Sequence, residues 1–233
     1  MITDPPLLRI QRNFSRPKHE VVKQFVGAAT GHLVDAMGGA GALDIGIKPL
    51  DAINNSFCGV ALTCNAGPAD NLAVFAALQV AQPGDVIVAA TGSYLGAAVT
   101  GDLLVGMAKN CGAIAFVTDG VVRDGAGLRS VGLPIFSRGL SPNSPARNGP
   151  GTVGMVVVVG EVTIESGDIL VGDEDGVVVI PRGKAEETAR KLAEVRTAEA
   201  LLVSKVKAGL RVPDFVSAIL TDGRTEFLPE VLS

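Results

Sequence analysis

Apolar residues alternate between strand-like runs and helix-like spacing along the first two thirds of the chain. Short apolar runs typical of buried strands lie at residues 57–64, 86–90, 113–118 and 134–137. Helix-like spacing predicts helices at 17–30, 70–82, 97–110 and 127–131, with the helix at 97–110 buried on nearly all sides. The glycine-rich segment 31–50 follows neither period and is predicted to be irregular. This alternation of strands and helices is typical of an α/β core.

The pattern changes after Gly139. A loop rich in Pro, Ser and Asn spans residues 141–151, and a long amphipathic helix is predicted at 184–207. Between them, β-branched runs predict short strands at 153–159, 162–164, 169–171 and 177–180. We found no repeat, linker or low-complexity tract, so the pattern predicts one α/β domain over residues 1–233.

Composition and charge are typical of a globular protein that does not bind nucleic acid. The 233 residues are 47% hydrophobic and 19% charged, enough apolar material for a sizeable core. The net charge of −4 argues against a general nucleic-acid binder. The basic stretch at residues 9–19 is interpreted as a solvated arm.

The cysteines and the N-terminus favour a cytoplasmic location. Cys58, Cys64 and Cys111 form no close-spaced metal pattern and are expected to be reduced thiols, with Cys58 and Cys64 on one face of a strand. The start of the chain lacks a signal-like apolar stretch, and no apolar run reaches about 18 residues, so no membrane association is expected.

Common catalytic motifs are not found in the sequence. The chain has two histidines, His19 and His32, and neither accompanies a nucleophile elbow. It has neither a P-loop nor a Gly-x-Gly-x-x-Gly motif after a strand. The acidic segment 172–176 resembles part of a calcium loop but lacks the remaining ligands, so a hairpin turn is predicted there.

Two segments carry candidate chemistry. Asp102 lies near the start of the helix predicted at 97–110, and Arg123 and Asp124 follow a predicted buried strand. Ligands of α/β folds collect at the carboxyl ends of strands. There a carboxylate can hold a hard divalent cation while a guanidinium stabilises an oxyanion. The alternatives are a local salt bridge for Arg123 and Asp124 and a helix cap for Asp102.

These segments resemble the metal-dependent 4-hydroxy-4-methyl-2-oxoglutarate aldolases. Asp102, twenty intervening residues and then Arg123-Asp124 match the Asp-x20-Arg-Asp signature of that family. The similarity extends over about residues 25–208 and includes QPGDVIV at 82–88, GDLL at 101–104, DGVVRD at 119–124, GLPIF at 132–136 and GDEDGVVV at 172–179. No single segment is specific, but together they are.

The resemblance implies an αββα sandwich related to the swivelling phosphohistidine domain. It also implies homotrimers or homohexamers with active sites between subunits. By the same resemblance Asp124 binds Mg²⁺ or Mn²⁺, Arg123 contacts the keto oxygen and its enolate, and Asp102 orients a metal-bound water. Gly101 begins the segment in which the backbone N–H groups of Leu103 and Leu104 receive the substrate carboxylate. Glu199 corresponds to a carboxylate supplied by the neighbouring subunit.

The implied reaction cleaves a 4-hydroxy-2-oxo acid next to its pyruvate unit. Cleavage leaves electrons on C3, conjugated with the C2 carbonyl, and a cation with Arg123 can offset the enolate charge. Because the matching segments contain no lysine, a Schiff-base mechanism is disfavoured. Oxaloacetate decarboxylation passes through the same enolate and is expected as a second activity.

Three alternatives remain open at this point. The regulator of ribonuclease activity A shares this fold and is a protein-binding inhibitor without metal chemistry. A menaquinone methyltransferase would need a glycine-rich cofactor loop, which we do not find. A catalytically idle homologue is the third. Phe75 stands where the aldolases commonly have His, which leaves the choice of substrate open.

Overall fold

The computed structural model describes residues 6–228, which divide into two units with the boundary after Leu192. The strands of the first unit are β1 Leu8–Ile10, β2 Lys48–Pro49, β3 Phe57–Asn65, β4 Asp85–Ala90, β5 Ala98–Thr100, β6 Ala115–Thr118, β7 Val121–Val122, β8 Ile135–Ser137, β9 Gly151–Val153, β10 Val157–Val159, β11 Val162–Ile164, β12 Ile169–Asp173 and β13 Gly176–Ile180. The helices of the chain are α1 His19–Lys23, α2 Thr30–Ala36, α3 Leu72–Ala77, α4 Asp102–Asn110, α5 Gly125–Val131, a 3-10 turn Arg182–Lys184, α6 Ala185–Lys207 and α7 Asp214–Thr221.

A mixed sheet forms the centre of the first unit. Its strands follow the order β1-β9-β3-β4-β6-β8-β2, with β12 added to β3 and β13 to β12. The four strands β3, β4, β6 and β8 are parallel to one another. Every residue of β4 is buried, as expected for a parallel strand covered on both faces. Two separate two-stranded pairs, β5 with β7 and β10 with β11, lie outside this sheet.

The central strands bury alternate residues in two cores, one on each face of the sheet. Ile87 belongs to the core that includes Val105 of α4 and Leu128 of α5. Its neighbours Val86 and Val88 belong to the other core, with the β10–β11 hairpin. Successive strand side chains point to opposite faces, so an uninterrupted apolar run such as β4 supplies both cores at once. The α/β fold with a central sheet and helices is confirmed. Its relation to the phosphohistidine domain stays a prediction.

Several predicted elements were wrong in their bounds. The helix expected at 17–30 covers only His19–Lys23, and the left-handed Gly27, with φ of +69°, prevents its continuation to residue 30. A second helix, α2, begins at Thr30 in the segment expected to be irregular, and the helix expected at 70–82 ends at Ala77.

The predicted buried helix at 97–110 contains two elements. Residues 98–100 form strand β5, and the helix begins only at Asp102. It is not buried all round, because Leu103 is 77% exposed and Met107 45%. The segment between β6 and Arg123 contains the short strand β7.

The acidic segment between β12 and β13 is a hairpin turn, as predicted. The carboxylate of Asp173 accepts hydrogen bonds from the backbone N–H and the hydroxyl of Thr30, both at 2.8 Å. Asp173 therefore holds the start of α2.

All three cysteines are free thiols. Cys64 is fully buried, and burial raises its pKa to about 12, whereas partial burial raises the pKa of Cys58 to about 11. Both thiols are therefore held in the neutral form near neutral pH.

The second unit contains residues 193–207 of α6 and all of α7. The sequence pattern predicts no element after residue 207, so α7 was missed. Whether the two units belong to one domain, as expected, stays a prediction. No helix within residues 6–228 is both long enough and apolar enough to cross a membrane.

Candidate active site

The short parallel pair β5–β7 brings the two candidate segments together. Ala98 is paired with Val121 and Thr100 with Val122. The backbone N–H of Arg123 donates to the carbonyl oxygen of Thr100 at 3.0 Å. Since both strands end at the same level, the residues that follow β5 and β7 emerge side by side. Asp102 and the Arg123-Asp124 pair therefore lie together at the carboxyl ends of two neighbouring strands, where ligands of α/β folds collect.

Gly101 permits a close approach of Asp124. An added Cβ at Gly101 would lie 2.4 Å from Oδ2 of Asp124 and 3.2 Å from Cγ of Arg123. Asp124 itself has φ of 60° and ψ of 45°, the left-handed region that Asp and Asn enter more readily than most residues. This conformation directs its carboxylate toward Gly101 and the start of α4.

Asp102 opens helix α4 and lies against helix α5. Its Oδ1 accepts a hydrogen bond from the backbone N–H of Leu103 at 2.7 Å, and an added Cβ at Gly127 would overlap its Oδ2. The first helical hydrogen bond of α4 runs from Val105 to Gly101 at 3.1 Å. The N–H of Leu104 precedes that bond and has no helical acceptor. A ligand carboxylate can therefore reach Leu104 directly and Leu103 once Asp102 releases it.

Arg123 makes two contacts at this site. Its Nε lies 3.2 Å from Oδ2 of Asp124, and its Nη1 donates to Oγ of Ser144 at 2.6 Å. The local salt bridge considered as an alternative is thus present. Both side chains nevertheless remain partly exposed, at 36% for Arg123 and 43% for Asp124. A guanidinium carries five N–H donors, so Arg123 can still donate to a ligand.

A cavity of about 420 Å³ joins these groups. Its lining comprises Asn71, Phe75, Thr100, Gly101, Asp102, Leu103, Leu104, Met107, Arg123, Asp124, Ser144, Pro145 and Arg147. All predicted site residues except Glu199 are among them. Asn71 and the loop residues 144, 145 and 147 were not predicted. No motif in the sequence singles them out.

Asp70 holds that loop against the start of α3. Its Oδ1 accepts from the N–H of Leu72 at 2.8 Å, and its Oδ2 accepts from the N–H groups of Asn148 at 2.6 Å and Gly149 at 3.1 Å. Ala146 adds a backbone bond to Ala69 at 2.7 Å. Asp70 precedes Asn71, the N-cap residue of α3, and fixes the loop that completes the cavity.

The acidic side chains suit a hard divalent cation. Within residues 6–228 no group of three or more His, Cys, Asp or Glu side chains gathers as a complete metal site. Asp102 and Asp124 both line the cavity. Mg²⁺ typically keeps several waters and binds through one or two carboxylates, so this donor set fits Mg²⁺ or the similar Mn²⁺.

Glu199 belongs to the second unit, in the exposed part of α6. The cavity is lined by residues of the first unit only. The role of Glu199 in the site of a neighbouring subunit stays a prediction.

Comparison with known proteins gives consistent results. A family model described as RraA-like, Aldolase/RraA, matches residues 30–179. A protein of Halalkalibacterium halodurans named "Putative 4-hydroxy-4-methyl-2-oxoglutarate aldolase" is 38% identical over 177 residues, which cover 76% of this chain and 84% of the relative.

Solved structures extend the comparison. The Streptomyces coelicolor protein RraAS2, described as an unusual member of the RNase ES inhibitor RraA protein family, is 30% identical with a TM-score of 0.71. That match covers 82% of this chain and all of the other. The RNA-processing inhibitor RraA from Thermus thermophilis is 29% identical with a TM-score of 0.61, covering 67% of this chain and 94% of the other.

Proposed function

Since the chain belongs to the RraA-like Aldolase/RraA family, we propose that it is a divalent-metal-dependent carbon–carbon lyase. Its substrate in this proposal is 4-hydroxy-4-methyl-2-oxoglutarate or a similar 4-hydroxy-2-oxo acid. One observation carries the proposal: a single cavity contains the start of α4, the guanidinium of Arg123 and the carboxylates of Asp102 and Asp124. The start of α4 can receive a carboxylate, the guanidinium can donate hydrogen bonds to an oxyanion, and the two carboxylates can supply oxygen ligands to a cation.

The pyruvate half of the substrate binds first in this mechanism. Its carboxylate accepts hydrogen bonds from the N–H groups of Leu104 and Leu103 at the positive end of α4. The N–H of Leu103 is at present bonded to Asp102 at 2.7 Å. Substrate binding therefore frees the carboxylate of Asp102 next to the reacting atoms.

Cleavage then follows from the placement of charge. Asp102, directly or through a water, takes the proton of the C4 hydroxyl. The C3–C4 bond breaks, C4 becomes a carbonyl, and the electron pair passes through C3 to the C2 oxygen as an enolate. Arg123 donates hydrogen bonds to that oxygen more strongly as its charge develops. A proton returned to C3 completes pyruvate.

A cation held by Asp124 through oxygen ligands would supply Lewis-acid stabilisation of the same enolate. Oxaloacetate would lose CO₂ from C3 and leave the identical enolate, so decarboxylation is part of the proposal.

Assembly is part of the proposal as well. Glu199 lies in α6 and would complete the site of a neighbouring subunit in a trimer or hexamer. Light scattering should give a mass that is a multiple of three chains, and Glu199→Gln should lower kcat without changing that mass. A fully active monomer would contradict the shared site.

The decisive experiment is a lyase assay with metal removal. The chelated protein is assayed on 4-hydroxy-4-methyl-2-oxoglutarate and oxaloacetate, before and after addition of Mg²⁺ or Mn²⁺. We expect activity only with the cation, because the donor atoms are hard oxygens. Full activity after exhaustive chelation would remove metal-dependent chemistry from the proposal.

A regulator of ribonuclease activity is the second candidate. It is favoured by the solved relatives described as RNase or RNA-processing inhibitors. If the folded wild type shows no lyase activity on any 2-oxo acid with either metal, and it inhibits an RNase E-type ribonuclease, this second function replaces the first.

A further inference from the structure

We propose that Arg147 binds a second carboxylate, on the half of the substrate that departs, so that the enzyme selects 4-hydroxy-2-oxo dicarboxylates. This inference rests on the proposed lyase function and assigns to Arg147 a role in substrate specificity. It concerns the wall of the cavity formed by Asn71, Phe75 and Arg147. That wall is separate in sequence from the segments that hold the pyruvate half.

Arg147 has no ionic partner among the residues that the structure describes. Within residues 6–228 no carboxylate pairs with its guanidinium and no acceptor takes a hydrogen bond from it. The other arginine of the cavity, Arg123, differs because it contacts both Asp124 and Ser144. Arg147 is exposed, and a planar guanidinium that lines a cavity without a protein acceptor is suited to a bidentate carboxylate.

The position of Arg147 is fixed from two sides. Its Cζ lies 5.2 Å from the centroid of the Phe75 ring, a cation–π contact that consumes no hydrogen-bond acceptor. The adjacent residues Ala146 and Asn148 are tied to the start of α3 by the backbone of Ala69 and the carboxylate of Asp70. An anchored loop reduces the entropy lost when the side chain orders around a ligand.

Asn71 supplies an independent sign of a ligand. Its side chain is only 4% exposed, and within the described residues its Oδ1 has no hydrogen-bond partner. A buried polar atom of this kind is usually satisfied by water or a ligand. Asn71 and Arg147 line the same cavity. If the Asn71 side chain rotates so that Oδ1 faces the cavity, a water can donate one hydrogen to Oδ1 and the other to a substrate carboxylate, which would make both residues parts of one subsite.

The geometry of the reaction identifies which carboxylate this is. The C1 carboxylate and C2 oxygen are held by the start of α4 and by Arg123 in the proposed function. What remains outside that region is the group on C4. A carboxylate there leaves as part of a 2-oxo acid, so both products of cleavage would be 2-oxo acids.

The test compares two substrates that differ in one group. 4-Hydroxy-4-methyl-2-oxoglutarate carries the second carboxylate, and 4-hydroxy-4-methyl-2-oxopentanoate has a methyl group in its place. We expect the wild type to prefer the first in kcat/KM. Arg147→Gln should lower this preference about 10- to 100-fold, mainly through KM of the dicarboxylate, because it removes one charge-assisted hydrogen-bonded pair.

Further variants separate the contributions of the Arg147 charge, the planar shape of its guanidinium and the Phe75 ring beneath it. Arg147→Lys keeps the charge and should recover part of the preference. Phe75→Leu removes the ring under the guanidinium and should lower the preference by about two- to fivefold. Arg190→Gln is the matched control, since Arg190 is an exposed arginine outside the cavity lining. It should leave the preference unchanged.

The two proposals fail in different ways. If Arg147→Gln changes both substrates equally, or neither, the second-carboxylate subsite is refuted while lyase activity stands. If the wild type cleaves neither substrate and does not catalyse exchange of the C3 protons of pyruvate with solvent, both proposals fall together.

Discussion

Replacing Gly101 by Ala should disable the site and leave the fold intact. The added methyl group would lie 2.4 Å from Oδ2 of Asp124, whereas ordinary contacts of a Cβ begin at 3.4 Å. The carboxylate must therefore retreat by about 1 Å. It can do so, because the Asp124 side chain is flexible and 43% exposed.

The cost to folding should be small. Gly101 has φ of −141° and ψ of −173°, extended backbone that alanine adopts without strain. Gly-to-Ala replacement at such positions stabilises by about 0.4–1 kcal/mol through the unfolded chain, which offsets part of the local crowding. We expect Tm to stay within about 4 °C of the wild type.

The cost to function should be large. A misplacement of about 1 Å can lower a rate by about 10²-fold, and here the displaced group is the proposed cation ligand. The assays are kcat/KM on 4-hydroxy-4-methyl-2-oxoglutarate and Mn²⁺ affinity by titration calorimetry. We expect kcat/KM to fall about 10²-fold and Mn²⁺ affinity to fall with it.

Gly106→Ala is the matched control, within the helix α4 that follows Gly101. An added Cβ at Gly106 meets no other atom within 4 Å. Alanine at this position should raise helix stability by about 0.5–1 kcal/mol and leave kcat/KM unchanged. If Gly101→Ala binds Mn²⁺ and turns over as the wild type does, the position of the Asp124 carboxylate is not what the site requires. If instead the Tm of Gly101→Ala falls along with its activity, the added methyl group lowers activity by destabilising the folded protein.

Four other substitutions test the charges and the core. Arg123→Lys should lower kcat by about 10²–10³-fold at unchanged Mn²⁺ affinity, since lysine lacks the planar guanidinium fork. Asp124→Asn should weaken Mn²⁺ affinity in calorimetry, and excess cation should restore part of the activity. Arg16→Ala should cost about 3–5 kcal/mol in urea unfolding, because it leaves the fully buried carboxylate of Asp85 without its bidentate partner; a loss under 1 kcal/mol would contradict this. The pKa of Cys64 is about 12 in the folded protein and about 9 in the unfolded chain, so the unfolded chain loses this proton first as the pH rises. The free energy of unfolding should therefore fall between pH 9 and 12, by about 1.4 kcal/mol per pH unit. Cys64→Ala should reduce that slope, and an equal slope would show that Cys64 is not its source.

The central strands could be predicted because their signal is local. The apolar runs that form β3, β4 and β6 are bounded by turn residues. Because these strands are buried on both faces, their apolar residues are continuous in sequence and are recognised without a polar alternation. The adjacency of Asp102 and Arg123 was predicted from a family signature. The β5–β7 pair that produces it is only three and two residues long. Strands so short carry no periodicity of their own, so β5 was merged with the following helix.

The rest of the site depends on contacts that local patterns do not encode. The loop that carries Arg147 is placed by hydrogen bonds from residues 146, 148 and 149 to Ala69 and Asp70, nearly 80 positions away. No spacing rule joins a loop to a helix start over that separation. The exposed face of α4 was missed for a related reason: Leu103 lies at the mouth of a cavity, and its apolar side chain was read as core.

The left-handed backbone of Asp124 decides which substitutions can be interpreted at that position. Asn tolerates φ of 60° about as well as Asp, so Asp124→Asn changes charge alone. Alanine or glutamate would also have to adopt this conformation, at a cost of roughly 1 kcal/mol, or swing the following helix α5 to avoid it. Because Gly127 of that helix packs against Asp102, such a swing would disturb a second carboxylate. Alanine scanning would therefore overstate the importance of the Asp124 charge, and a selection for folded protein alone should return Asn and Gly at this position more often than other substitutions.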